Sequence, residues 1–318
     1  MEYMEFVEYV RAAMATILGD DKIVTVKKIL KNNGQEYEAL LISDNNSNIS
    51  PTIYLNSFYD EYENGKEGGE VVKEIYEFYE NNCDEFVFDM DVFSDYSIMS
   101  KKIVFKVINK AKNKRLLKDV PHITRMDLAL VPYCMVDSGC FGNATVLIQK
   151  THLALWNKTE KEIFEAAFYN TPRILAPEIR NMNDIIREMF MDDLRRRQIN
   201  GEIDIDLDVE ERTIELMQYL GTDNGIEMFV LTNNHRLNGA ACMFYEKVLK
   251  EFADSRKSDI FILPSSIHEV ILVPAVEGLS KNELTLMVQD VNREELSPEE
   301  ILSSHVYVYN YVSEEIEM

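Results

Sequence analysis

The sequence lacks the short motifs that hold phosphate groups or metal ions. Its 12 glycines form neither GxxxxGK[ST] nor GxGxxG, the patterns that bind nucleotide triphosphates and dinucleotides. The four cysteines, Cys83, Cys134, Cys140 and Cys242, include no closely spaced pair of the kind that binds zinc. Their mostly apolar neighbours favour reduced thiols in a core. We therefore predict no cofactor.

Long apolar runs and basic residues are also scarce. The longest apolar candidates, such as VILVPAV at 270–276, have the length of a strand, whereas ~20 residues are needed to span a bilayer. The opening MEYMEFVEYV is acidic and lacks the apolar stretch of a signal peptide. The 56 acidic and 33 basic residues give a formal charge of -23, which repels nucleic-acid phosphates. We expect a soluble cytoplasmic protein that binds neither membranes nor nucleic acid.

The apolar residues, 46% of the chain, follow the periods of helices and strands. Helical spacing predicts an opening helix, a helix over 67–82, one after Thr159 that ends at Pro172, and others over 181–198, near 245–257, near 280–294 and, briefly, after Ser297. In the helix over 67–82, one stripe contains Val71, Val72, Ile75, Phe78 and Tyr79.

Alternation and turn residues predict the strands. A hairpin over 22–43 turns at KNNGQ, and further strands are expected at 126–136, 144–156, EMFVLTN, GAACMF, FIL, VILVP and SHVYVYNYV. In the closing strand, Tyr307, Tyr309 and Tyr311 alternate and are expected on one face.

Strand pairs alternating with helices are typical of an α+β fold with a mainly antiparallel sheet. We expect a smaller acidic N-terminal α+β unit over 1–100 and a main α+β domain over 101–318. Two parts of the main domain, about 101–200 and 222–318, each consist of a strand pair followed by a helix. This likeness is too faint to count as an internal repeat.

Charge is segregated along the chain. Residues 58–96 contain 13 acids and two lysines, whereas residues 101–120 contain seven lysines and one arginine against one aspartate. The acids are either the solvated face of a helix, which is the commoner case, or a contact surface for a basic partner. The candidate partner-binding residues are Glu70, Glu74, Glu77 and Asp84.

The segment FILPSSIHEVILVP at 261–274 offers the residue types of nucleophilic catalysis. The candidates are Ser265 or Ser266 as nucleophile, His268 as base and Glu269 as a neighbouring acid. No GxSxG elbow presents either serine, however, and a break at the proline and serines between two buried strands predicts a strand-turn-strand core element. Both interpretations stay open, and His268 is the residue that separates them.

The segment EIDIDLDVE at 202–210 offers the only arrangement resembling a metal site. Asp204, Asp206 and Asp208 have the spacing that opens a calcium loop, and Glu215 occupies the twelfth position. Val209 stands where such a loop needs glycine, and the intervening apolar residues alternate as in a strand. We therefore expect a strand with one acidic face.

Several separate blocks resemble a bacterial family known as domain of unknown function 5688. They are VFKVINKAKNKRLLKDVPH, MDLALVPY, YNTPRI, VLTNNHRLNGAACMFY, ILPSSIHEVILVP and EELSPEEILSSHVYVY, which together cover most of the chain. The helix after Trp156 and the proline-serine turn are more distantly similar to the domain of unknown function 1444. Neither family brings an established activity or catalytic residue. The resemblance implies a bacterial protein, and similar members often lie in mobile genetic elements.

We therefore expect a non-enzymatic accessory protein that binds another protein through its acidic region. Carboxylates on one exposed face would mimic nucleic-acid phosphates and occupy the basic groove of a nuclease or another defence protein. The alternative is a serine hydrolase that uses Ser265 or Ser266 with His268. The oligomeric state stays open.

Overall fold

The computed structural model describes residues 1–44, 52–82, 90–137, 143–204, 206–219, 226–264 and 266–318. The chain forms two compact units. Unit 1 comprises Met1–Val104, Lys112–His122 and Val131–Ala167, and unit 2 comprises Phe105–Ala111, Ile123–Leu130 and Phe168–Met318. The sequence-based division at residue 100 stays a prediction.

Helices and antiparallel strands alternate along the described ranges, which confirms the predicted α+β fold. The helices are α1 (Tyr3–Leu18), α2 (Asn56–Glu63), α3 (Gly68–Asn82), α4 (Met90–Ser94), α5 (Tyr96–Met99), α6 (Lys150–Trp156), α7 (Glu160–Ile174), α8 (Met182–Ile199), α9 (Val209–Tyr219), α10 (Val248–Arg256) and α11 (Lys281–Glu294). The strands are β1 (Lys22–Leu30), β2 (Glu36–Asp44), β3 (Thr52–Tyr54), β4 (Ile103–Asn109), β5 (Ile123–Arg125), β6 (Leu128–Asp137), β7 (Asn143–Leu147), β8 (Pro177–Asn181), β9 (Phe229–Asn233), β10 (Ile260–Leu263), β11 (Val270–Pro274), β12 (Tyr307–Tyr309) and β13 (Ile316–Glu317). No helix within these ranges is both long and apolar enough to cross a membrane.

Unit 1 contains a three-stranded sheet in the order β1-β2-β3. The predicted hairpin is present, and Asn33 (φ 59°) and Gly34 (φ 72°) supply the left-handed conformations of its turn. The side chain of Asn113 accepts the Asn33 backbone N–H (2.9 Å) and donates to its side-chain oxygen (3.0 Å). The sheet shares one core with α1 and α3, whose buried residues are Phe6, Val7, Val10, Met14, Val71, Val72, Ile75 and Tyr79.

Unit 2 contains a six-stranded sheet in the order β13-β12-β10-β11-β9-β8. Strands β10 and β11 pair antiparallel from Ile260↔Pro274 to Leu263↔Ile271, which confirms the predicted strand-turn-strand element. Helix α11 packs on this sheet, and the core there contains Leu263, Val273, Leu284, Val288 and Val306.

A further sheet has the order β4-β6-β5, with β7 paired to β6.

Several predicted elements are wrong. Residues 150–156 form α6 instead of continuing a strand, and GAACMF forms the 3-10 helix Gly239–Phe244. Both segments are short, and periodicity does not separate a strand from a helix at that length. Pro172 lies inside α7, which continues to Ile174, and a turn replaces the short helix after Ser297.

The alternating tyrosines follow the prediction only in part. Tyr307 and Tyr309 are both buried in β12, as the strand period requires. Tyr311 lies beyond that strand, where its backbone N–H donates to Asp259 Oδ1 (2.8 Å), and its side chain is exposed. The turn therefore removes the third tyrosine from the shared face.

Candidate functional site

His268 lies between β10 and β11, and both of its ring nitrogens face protein groups. The Asn238 backbone N–H donates to His268 Nδ1 (3.4 Å), and His268 Nε2 lies 3.7 Å from Glu300 Oε1. Because Nδ1 accepts an N–H, the neutral ring must carry its proton on Nε2, directed toward Glu300. The basic nitrogen of His268 is thus covered by the backbone.

The described serine beside His268 is engaged with the backbone. Buried Ser266 accepts the His268 backbone N–H at its Oγ (3.0 Å). A catalytic serine needs its Oγ against a ring nitrogen that can take its proton. Ser265 lies outside the described residues, and Glu269 is exposed. The hydrolase hypothesis stays a prediction, with His268 now placed between Asn238 and Glu300.

The loop that presents Asn238 is held by a buried asparagine. Asn233 Oδ1 accepts the backbone N–H groups of His235 (3.0 Å) and Leu237 (3.4 Å), and its Nδ2 donates to the Leu237 carbonyl (2.8 Å). In the same region, Thr232 Oγ1 donates to the His268 carbonyl (2.9 Å). These bonds fix the loop that presents Asn238 and the carbonyl of His268.

A second polar cluster of unit 2 surrounds Asp127, in the two-residue turn between β5 and β6. Tyr307 OH donates to Asp127 Oδ1 (2.5 Å), and Ser303 Oγ donates to Oδ2 (2.7 Å). Burial raises the pKa of Tyr307, so its hydroxyl keeps the proton that it donates. His305 Nδ1 lies 3.2 Å from Asp127 Oδ2.

Sequence reasoning missed this cluster. Ser303, His305 and Tyr307 occupy alternate positions, and that spacing was a usable signal for one shared side. Asp127 precedes Ser303 by 176 residues, and no local pattern links the two. Only the folded arrangement of unit 2 brings the carboxylate to the alternating residues.

The acidic residues of α3 occupy an exposed face. Glu70 and Glu77 are exposed, and Glu74 is half-buried, with its Oε2 lying 2.5 Å from Lys66 Nζ. Glu77 also pairs with Lys73 (3.5 Å). Asp84, the fourth predicted contact residue, lies outside the described residues.

Phe78 departs from its predicted position on the buried stripe of α3. Its neighbour Tyr79 is buried, whereas Phe78 is 47% exposed, directly after Glu77 and one turn after Glu74. The exposed face of α3 therefore includes one aromatic side chain besides its carboxylates.

The predicted acidic strand before α9 is wrong. Residues 206–208 lie in a turn and coil, where Asp204 Oδ1 accepts the Asp206 backbone N–H (3.0 Å) and Asp208 Oδ1 accepts backbone N–H groups in the first turn of α9. Aspartate favours such local bonds over strand pairing. Glu215 lies in α9 and pairs with Arg212 (2.7 Å). Within the described ranges, no three His, Cys, Asp or Glu side chains are grouped to hold a metal.

Alkylation of the folded protein at about pH 8 is expected to leave Cys134 and Cys242 unmodified, because the thiolate is the reacting form. Both thiols are buried, and burial raises the pKa of each to about 12. Peptide mass spectrometry after iodoacetamide treatment measures this, with urea-unfolded protein as the control in which both should react. Modification of either thiol in the folded protein would contradict the prediction.

Comparison with known proteins shows the family to which the chain belongs. A family model described as "Family of unknown function (DUF5688)" matches residues 3–311, which confirms the resemblance found in the sequence. No curated protein and no solved structure matches the chain.

Proposed function

Because the chain belongs to the DUF5688 family, whose description states no activity, we propose a function from its own surface: it binds a basic protein through α3. The main observation behind this proposal is that Phe78 is exposed on the same helix as the carboxylates of Glu70 and Glu77. Aromatic side chains are enriched in protein interfaces relative to the rest of the surface, and Phe78 is exposed beside charged residues of the same helix.

The anchoring of α3 supports the same proposal. Val71, Val72, Ile75 and Tyr79 are buried in the core of unit 1, so the opposite face of the helix is held in a fixed orientation. Preorganised side chains lose less conformational entropy on binding than mobile ones. A fixed row of carboxylates would resemble nucleic-acid phosphates to a basic groove, such as that of a nuclease.

Neutralising the acidic face is expected to abolish salt-sensitive capture of a basic protein. The test compares the immobilised wild-type protein with a Glu70→Gln, Glu74→Gln, Glu77→Gln variant in bacterial lysate at low and moderate salt. The control, Glu277→Gln, Glu283→Gln, Glu295→Gln, makes the same charge change at exposed positions of unit 2.

A partner that depends on α3 is retained by the control and lost by the α3 variant. Phe78→Ala should weaken its binding about tenfold, because hot-spot aromatics contribute more than ~1.4 kcal/mol. Equal retention by both triple variants, or no basic protein retained by wild type, would count against the proposal. An anti-defence role additionally requires the captured partner to lose nuclease activity.

A further inference from the structure

His305 and His268 carry their ring protons on opposite nitrogens. An ionised carboxylate only accepts hydrogen bonds, so the contact between His305 Nδ1 and Asp127 Oδ2 (3.2 Å) requires the proton on Nδ1. The lone pair of neutral His305 therefore lies on Nε2. In His268 the lone pair lies on Nδ1, which accepts the backbone N–H of Asn238.

The two rings also differ in access. The His305 side chain is 59% exposed and that of Asp127 is 21% exposed, whereas His268 is 29% exposed. The nitrogen of His305 that faces the protein is the one bonded to the carboxylate. The opposite, basic nitrogen is accordingly the one left to solvent.

The carboxylate itself is held by two buried donors. Ser303 is 1% exposed and Tyr307 is 0% exposed, and each donates to a different oxygen of Asp127. The backbone N–H of Lys110 also donates to the Asp127 carbonyl (2.9 Å). The orientation of Asp127, and through it that of His305, is thus fixed from the interior of unit 2.

We propose that His305 is a general base that accepts a proton from water or a substrate hydroxyl, with Asp127 as its positioning residue. A carboxylate on Nδ1 keeps Nε2 unprotonated in the neutral ring and stabilises the imidazolium that forms when Nε2 takes a proton. An ester, whose acyl carbon water attacks, is the compound class that tests this chemistry.

The step balances with water as the nucleophile. Nε2 takes one proton from water while the oxygen bonds to the acyl carbon, and the ester C–O bond then breaks to release the alkoxide or phenolate. The imidazolium returns its proton to the leaving group or to solvent. No other co-reactant is required.

Nitrogen NMR of the five histidines tests the ring state directly. In uniformly ¹⁵N-labelled protein, with the ring neutral, His305 is expected to show a protonated Nδ1 and His268 a protonated Nε2. Single His→Gln variants assign the signals. In Asp127→Ala, which removes the acceptor, His305 should lose its Nδ1–H preference. A protonated Nε2 on wild-type His305 overturns the proposal.

Hydrolysis of p-nitrophenyl acetate tests the chemistry. His305→Gln keeps the Ser303 and Tyr307 bonds to Asp127 and should reduce the protein-dependent rate at least fivefold. The control is His235→Gln, at another exposed histidine of unit 2, and its rate should stay near that of wild type. An unchanged rate in His305→Gln overturns the proposal even where the NMR result agrees.

Discussion

Gly239→Ala is expected to destabilise the protein by about 3 kcal/mol or more, because no space exists for a methyl group. A Cβ at this position would lie 2.2 Å from Thr232 Oγ1, 2.4 Å from the His268 carbonyl oxygen and 2.9 Å from the Asn233 backbone nitrogen. Two of these three atoms belong to the backbone, so a rotamer change cannot relieve the clash. Denaturant unfolding followed by circular dichroism measures the loss.

Gly69→Ala is the matched control for this substitution. A Cβ at Gly69 meets no atom within 4 Å, and the residue lies in the first turn of α3. Alanine has the higher helix propensity, so this variant should equal wild type or gain up to ~1 kcal/mol. Similar unfolding midpoints for the two alanine variants would show that the 238–240 segment moves away from the Thr232–His268 hydrogen bond at little cost.

Gly239 shows what local pattern predicts and what it does not. The apolar run GAACMF, which begins with Gly239, predicts a strand, yet it forms the 3-10 helix Gly239–Phe244. Gly239 is required by the close approach of three segments, not by a left-handed backbone. Close approach depends on tertiary packing, and a single sequence contains no measure of it.

Elements with strong periodicity or specific turn residues were predictable. Helices α1, α3, α8 and α11 and the β1–β2 and β10–β11 pairs agree with the patterns from which they were predicted. In α1, α3 and α11, one apolar stripe meets a single core, so the local pattern and the packing agree, whereas α8 buries only Leu194. Phe78 is an exception. Its helical spacing predicts a place on the apolar stripe of α3, but its side chain is exposed.

The candidate sites were less predictable, because each depends on groups that are distant in sequence. His268 was singled out by the serines next to it, but the groups that face its ring are Asn238 and Glu300. His305 likewise follows two serines, Ser303 and Ser304, and Asp127 reaches its ring from another part of unit 2. Because both histidines follow a pair of serines, adjacent residue types do not distinguish the ring whose basic nitrogen is covered from the other.

Trp156→Ala is expected to cost about 3–5 kcal/mol of unit 1 stability, the usual range for truncating a buried tryptophan. Trp156 is 5% exposed, and its ring lies 5.3 Å from that of Phe93 and 5.9 Å from that of Tyr96 between centroids. Its Nε1–H donates to the Phe93 carbonyl (2.8 Å). The substitution removes both the packing and the bond that fix α4 and α5.

Trp156→Phe separates these two contributions. It keeps an aromatic ring but leaves the Phe93 carbonyl without the indole donor, so it should cost only about 1–2 kcal/mol. Circular dichroism must follow unfolding, because Trp156 is the only tryptophan and fluorescence is lost with it. A Trp156→Ala cost below ~1.5 kcal/mol would mean that α4 and α5 are held by other contacts. A cost of 3–5 kcal/mol that falls to about 1–2 kcal/mol in Trp156→Phe would assign most of the contribution of Trp156 to its packing against Phe93 and Tyr96.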